Sequence, residues 1–175
     1  MKIIIYASKY GNTRKYAEEL SEKTGIKAVD FKKVKNINNY DTVVFLGSVF
    51  ASRLVGLKKT FKKLSSAGKE IIIVSVGVAD PMVEENTDLL KKGIKSQVSD
   101  EIFENAKFFH LRGGIDYSKM GFIDKMLLKI LYNQIKKIPE DKRTSEVKTV
   151  IETYNKTVDY IDLESLNELL NEMQK

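Results

Sequence analysis

Five short apolar runs recur along the chain, at Lys2–Tyr6, Ala28–Phe31, Thr42–Leu46, Glu70–Val76 and Lys107–Leu111. In most of them the apolar residues are continuous rather than alternating, which suits strands covered on both faces. Between them the spacing becomes helical. Tyr16, Ala17 and Leu20 line one face of Thr13–Lys23, and Leu57, Phe61 and Leu64 line one face of Leu54–Leu64, with Lys58, Lys59, Lys62 and Lys63 on the outer side. Such alternation predicts an α/β fold, an open five-stranded parallel sheet with helices on both faces and right-handed crossovers. The closing segment Asp162–Lys175 is expected to be a last helix on the sheet, with Asp162 as its N-cap before Leu163, Leu166, Leu169 and Leu170. At 175 residues, 42% of them hydrophobic, the chain is expected to form one domain over 1–175.

Several chemistries are excluded at once. Cysteine is absent and His110 is the single histidine, so disulfides, thiolate ligation, cysteine nucleophiles and histidine-rich metal sites are ruled out. No apolar run approaches the roughly 18 to 20 residues of a membrane span, and Met1-Lys2-Ile3 leads into a strand rather than a signal peptide, so the expected location is cytoplasmic. The formal charge of +6 favours acidic partners, but no nucleic-acid motif accompanies it.

In a sheet of this kind ligands sit beyond the carboxyl ends of the strands, where the strand order changes direction. Here those ends read Ser8–Thr13, Gly47–Ser52, Gly77–Asp80 and Arg112–Gly114, rich in small residues that let a ligand approach the backbone. The first loop opens a helix, whose unpaired N–H groups and dipole suit a phosphate; Ser8, Asn12 and Thr13 add neutral donors and Gly11 lets the chain curl. The alternative is an ordinary helix N-cap by Asn12 or Thr13. The spacing matches neither an ATP-binding P-loop nor a dinucleotide Gly-x-Gly-x-x-Gly.

The run Ile4-Ile5-Tyr6-Ala7-Ser8-Lys9-Tyr10-Gly11-Asn12-Thr13-Arg14-Lys15-Tyr16-Ala17-Glu18-Glu19-Leu20 resembles the flavodoxin signature. The resemblance implies a flavodoxin-like fold that binds FMN, with Ser8, Lys9, Tyr10, Gly11, Asn12 and Thr13 cradling its phosphate. It also implies that Ser48, Val49, Phe50 and Ala51, after the third strand, and Gly77, Val78 and Ala79, after the fourth, enclose the isoalloxazine ring. Phe50 either stacks on a flavin face or packs beneath its loop. No catalytic side chain is required, since the flavin carries the chemistry.

Three departures from simple flavodoxins stand out. Those proteins are acidic around the flavin, whereas the loops here carry Arg53 and Asp80 and no carboxylate cluster, so a less negative potential is expected. Val49 and Phe50 stand where flavodoxins commonly place a glycine whose peptide flips, and bulky residues disfavour positive φ. Residues 113–137 then supply Phe122, Ile123, Met126, Leu127, Ile130 and Leu131 at helical spacing among lysines, an apolar-basic insertion at about 115–145. It is a helix on the sheet, a lid, a dimer face, or an amphipathic helix on an anionic membrane.

With SVGVADPMVEENT at 75–87 and EDKRTSEV at 140–147, this layout is similar to the flavodoxin-like, menaquinone-dependent protoporphyrinogen dehydrogenases. That family's third loop carries Ser-Ile-Arg-Tyr-Gly, where this chain has Ser48-Val49-Phe50-Ala51-Ser52. The resemblance implies an FMN-dependent oxidoreductase that oxidises a porphyrinogen or reduces a quinone, with peripheral membrane contact through 117–137. The alternatives are a flavodoxin-type electron carrier docking redox protein partners and an interaction module without cofactor. His110 is either structural or a proton relay. Arg112 either forms a salt bridge or contacts the flavin edge or an anionic substrate.

Overall fold

The computed structural model describes residues 1–174; Lys175, the end of the expected last helix, lies outside the described residues. Five parallel strands form the main sheet in the spatial order β2 (Ala28–Asp30), β1 (Lys2–Ala7), β3 (Thr42–Phe50), β5 (Glu70–Gly77), β6 (Ala106–Arg112). A two-residue strand, β4 (Arg53–Leu54), folds back antiparallel on the end of β3, pairing Val49 with Leu54 and Phe50 with Arg53.

Continuous apolar strands are buried on both sides because successive residues face opposite layers. Ile3, Ile5, Val43, Phe45, Ile71 and Ile73 pack beneath α2 (Leu57–Phe61), α3 (Glu84–Lys95) and α4 (Asp100–Asn105), through Leu57, Phe61, Leu90, Ile94 and Ile102. Ile4, Val44, Leu46, Ile72, Val74 and Val76 face α1 (Asn12–Thr24) and α7 (Asn167–Met173), through Tyr16, Ala17, Leu20, Leu169 and Met173. Asp162 accepts from the Glu164 amide and caps a short 3-10 turn, Leu163–Leu166, that leads into α7.

The helix expected over Leu54–Leu64 is shorter than its apolar spacing suggested. Leu54 belongs to β4, and Gly56, at φ 78°, turns the chain before α2 starts. A Cβ on Gly56 would lie 2.8 Å from Ala7 Cβ and 2.9 Å from Phe31 Cδ2, so both backbone shape and close packing require glycine there. After β6 the chain leaves the sheet. It runs through β7 (Gly114–Asp116), α5 (Phe122–Ile135) and α6 (Ser145–Thr153), then returns along β8 (Thr157–Asp159), which pairs antiparallel with β7. This excursion places α5 and α6 over the carboxyl ends of the strands.

Candidate functional site

The strand order reverses between β1 and β3, and their carboxyl ends open the crevice. Gly11 is the N-cap residue of α1, at φ 98°, with no side-chain cap bond. The alternative of an ordinary N-cap by Asn12 or Thr13 is therefore not what the helix uses, and both side chains are engaged elsewhere. The Asn12 amide donates to Gly114 O at 2.7 Å, and Thr13 Oγ1 lies 2.9 Å from Ser48 Oγ. Ser48 Oγ also accepts from the Lys9 amide at 3.0 Å and lies 3.1 Å from Ala7 O, so one hydroxyl joins the ends of β1 and β3. Ser8 Oγ accepts from the Gly11 amide at 3.0 Å and folds the loop. Without a side chain over it, the first turn of α1 presents its N–H groups to the crevice.

Lys9 and Tyr10 point away from that turn toward α5. Lys9 Nζ donates to Asp124 Oδ1 at 2.7 Å and stands 3.7 Å from the centre of the Phe50 ring, while the Tyr10 hydroxyl donates to Asp124 Oδ2. These two hydrogen bonds hold the Asp124 carboxyl below the usual carboxylate range. Burial, then the Asp124 hydrogen bond, push the Tyr10 hydroxyl up, so it stays a donor. Asp124 is the only acid in α5, which made it visible in the sequence, but its partners lie more than a hundred positions earlier.

The loop after the third strand is a tight hairpin. β3 continues through Phe50, and Ala51 (φ 49°) and Ser52 (φ 56°) make the turn, both in the left-handed region. Positive φ thus falls one residue beyond the Val49 and Phe50 positions where the sequence reading placed the conflict. A two-residue turn with both φ values positive matches the twist of the flanking strands, at some local cost for non-glycine residues. Gln97, from the segment after α3, clamps the hairpin by accepting from Leu54 N and donating to Leu54 O, both at 2.9 Å. Gly93 of α3 is required by contact, because a Cβ there would fall 1.7 Å from Ser52 O. Ser52 Oγ donates to Glu146 Oε1 of α6 at 2.8 Å.

The third wall is 77–80. Gly77 lies against Val49, a Cβ on it reaching 3.0 Å from Val49 Cγ2, and its carbonyl accepts from the Gly113 amide at 2.7 Å. Arg112 donates to Val78 O at 3.2 Å, lies 3.8 Å from Asp80 Oδ2 and stacks 3.9 Å over the Tyr160 ring. It holds this loop in place.

These walls enclose a cavity of about 410 Å³, within the usual size of small-molecule sites. Every residue expected at the site lines it except Ser8 and Gly11, which shape the first loop from behind. The roof is made of Met120, Leu127, Leu128 and Leu131 from the α5 region and Glu146, Thr149, Val150 and Thr153 from α6; a lid was one of the readings open for 113–137, which held Leu127 and Leu131, but the α6 residues were missed.

The model of the family described as Flavodoxin domain matches residues 3–143. The chain belongs to this flavodoxin family. No curated protein matches it. Among solved structures, a flavoprotein described as putative from Bacteroides uniformis is similar at 14% identity, covering 64% of this chain and 90% of its own, with a TM-score of 0.47. A flavodoxin from the domain Archaea is 18% identical over 65% of this chain and 85% of its own, TM-score 0.39. A Fusobacterium nucleatum flavodoxin mutant bound to flavin mononucleotide is 16% identical over 69% and 72%, TM-score 0.42. FMN is the cofactor of this flavodoxin-family site. The residues present fit it: α1 begins without a side-chain cap, the Thr13 hydroxyl beside it is buried, and the cavity continues from that turn between the hairpin and the 77–80 loop.

Proposed function

We propose that this flavodoxin-family chain is an FMN-dependent oxidoreductase that passes electrons between a reduced donor and a planar apolar acceptor of the quinone or porphyrinogen type. The observation that carries this reading is the roof. An electron carrier needs one open edge of its flavin, whereas Met120, Leu128 and Val150, with the half-exposed Leu127 and Leu131, line a partly roofed apolar space above the loops. FMN supplies the redox chemistry when bound. The loop 8–13 would hold its phosphate, the Phe50 hairpin and Gly77–Ala79 would orient its ring, and α5 and α6 would exclude water and admit a flat apolar partner. Protoporphyrinogen dehydrogenase chemistry is the specific form that the sequence resemblance suggests.

The test is steady-state kinetics on FMN-loaded protein with soluble quinones. Saturable flavin oxidation by a quinone supports an enzyme. Facile exchange with redox proteins and no saturable small-molecule reaction supports the alternative, a flavodoxin-type carrier.

The outer face of α5 supports a membrane-side acceptor. Phe122 and Ile123 are 82% and 67% exposed, Met126 and Ile130 are exposed as well, and Lys125 and Lys129 lie among them. No helix among the described residues is long and apolar enough to cross a membrane, so such contact would be peripheral. Sedimentation with phosphatidylglycerol vesicles at low salt, reversed by high salt and weakened by Phe122→Ser/Ile123→Ser, is expected; failure to sediment at low salt counts against it.

A further inference from the structure

A second cavity, of about 60 Å³, lies under α3 on the other side of the 77–79 loop. It shares Val49, Gly77, Val78, Ala79 and Glu146 with the large cavity, so these residues border both spaces. Its floor is polar where the pattern of the sheet calls for apolar residues. β5 places Ile71 and Ile73 on this face and then Ser75; β6 places Phe108 and then His110. The two polar residues are register partners, with Ser75 Oγ 2.7 Å from His110 Nδ1. Ser75 is 2% exposed. Across the cavity Asn86, 9% exposed, donates through Nδ2 to Asp80 O at 2.8 Å while its Oδ1 has no hydrogen-bond partner. A buried acceptor without a donor is costly, and the cavity, though mostly apolar in its lining, is large enough beside the Ser75 and His110 floor for a few water molecules.

We propose that His110, oriented by Ser75, relays protons to and from the flavin site through water held between it, Asn86 and Glu146. The inference rests on the oxidoreductase reading. Two-electron oxidation of a quinol or porphyrinogen releases two electrons and two protons. With FMN bound, one proton would be taken up together with the electron pair, and the other would have to leave the space beneath α5 and α6. Reduction of a quinone acceptor would consume two electrons and two protons in turn, so the relay returns to its starting state each cycle.

His110 is suited to the task, because burial and then the nearby Lys91 of α3 hold its imidazole below the ordinary histidine value, leaving it a neutral acceptor at neutral pH. The charged groups around it are Lys91 on α3, Glu146 on α6, and the Asp80 and Arg112 pair at the ends of the 77–80 loop and β6. Ser75 on β5 is its only hydrogen-bond partner among the described residues. Asn86 and Ser75 are positioning residues in this scheme.

Because His110 is the only histidine, its imidazole resonances identify themselves in NMR spectra. Titration with and without FMN should move its pKa, and Ser75→Ala should shift that pKa and the pH midpoint for oxidation of dithionite-reduced flavin by a soluble benzoquinone in step. His110→Gln should bind FMN normally, as read by fluorescence quenching. It should slow that oxidation about tenfold to a hundredfold, flatten the pH profile, and recover with added imidazole. The relay is overturned if His110→Gln keeps the wild-type rate and pH profile, if imidazole fails to restore a lost rate, or if FMN leaves the His110 titration unmoved. Wild-type protein that binds FMN yet whose chemically reduced flavin shows no saturable oxidation by the quinone refutes the enzymatic reading and the relay with it, whereas an unchanged His110→Gln protein refutes the relay alone.

Discussion

Ala51 and Ser52 hold the hairpin under the flavin site at positive φ without being glycine. The left-handed region costs an L-residue roughly 1 to 2 kcal/mol, partly offset on glycine substitution by the extra freedom of the unfolded chain. Ala51→Gly should therefore stabilise the protein by up to about 1 kcal/mol, read as a higher urea midpoint. Gly93→Ala should act in the opposite sense, since its Cβ would strike Ser52 O. Both a lower midpoint and weaker FMN binding are expected, because the hairpin must move. His110 supplies a pH test. Its folded pKa lies below the ordinary value, so as pH falls below about 6.5 the unfolded chain takes up a proton that the folded chain resists. Stability should decline through that window and be level above it, and urea midpoints for His110→Gln should lose this slope. The first loop was legible in the sequence because a phosphate cradle is built from consecutive residues. The hairpin was not, because its clamps, Gln97 and Gly93, come from an element some 43 positions further along.

At the scale of elements, α5 is the part that the sequence left open. Its helical period was plain, but apolar residues run around most of its circumference, so the pattern alone gave no single buried face. Packing chooses the face. Tyr132 of α5 stacks on Tyr154 at 3.9 Å, and Tyr117 meets Tyr154 edge-on at 5.8 Å, which joins α5 to the base of the excursion and turns Leu127, Leu128 and Leu131 to the cavity. Toward the first loop the tie is Asp124 with Lys9 and Tyr10. The pair is mostly covered, with side chains 25% and 22% exposed, yet close enough to water that its contribution to stability should be about 1 kcal/mol or less. Asp124→Ala should then leave the melting temperature nearly unchanged while loosening the roof. The expected sign is FMN dissociation faster by about tenfold, the equivalent of one hydrogen bond to a charged group, measured by stopped-flow release into excess apoflavodoxin. Unchanged dissociation would show that α5 does not hold the cofactor in.

For the whole molecule, the strand order follows from the alternation of strand and helix, and the cofactor crevice follows from the strand order. The span of the excursion does not, because it is closed by the pairing of β7 with β8, two strands of three residues whose register joins positions more than forty apart. The distribution of charge is likewise a property of the assembled molecule. Although the chain carries +6 overall, the cations at the site are matched: Lys9 by Asp124 and Arg112 by Asp80. Glu146 remains as the carboxylate on the cavity wall, held by Ser52. A single carboxylate on the cavity wall opposes a flavin that gains negative charge on reduction, and does so less than a ring of them would. The midpoint potential should therefore be less negative than in flavodoxins that ring the flavin with carboxylates, and Glu146→Gln should raise it by a few tens of mV more. Raising the ionic strength should change it little, because the group is partly buried on the cavity wall rather than on the open surface. A potential unmoved by Glu146→Gln in spectroelectrochemical titration would place the flavin beyond the reach of this carboxylate. In that case the basic exterior, acting at long range, would be the term that sets the couple.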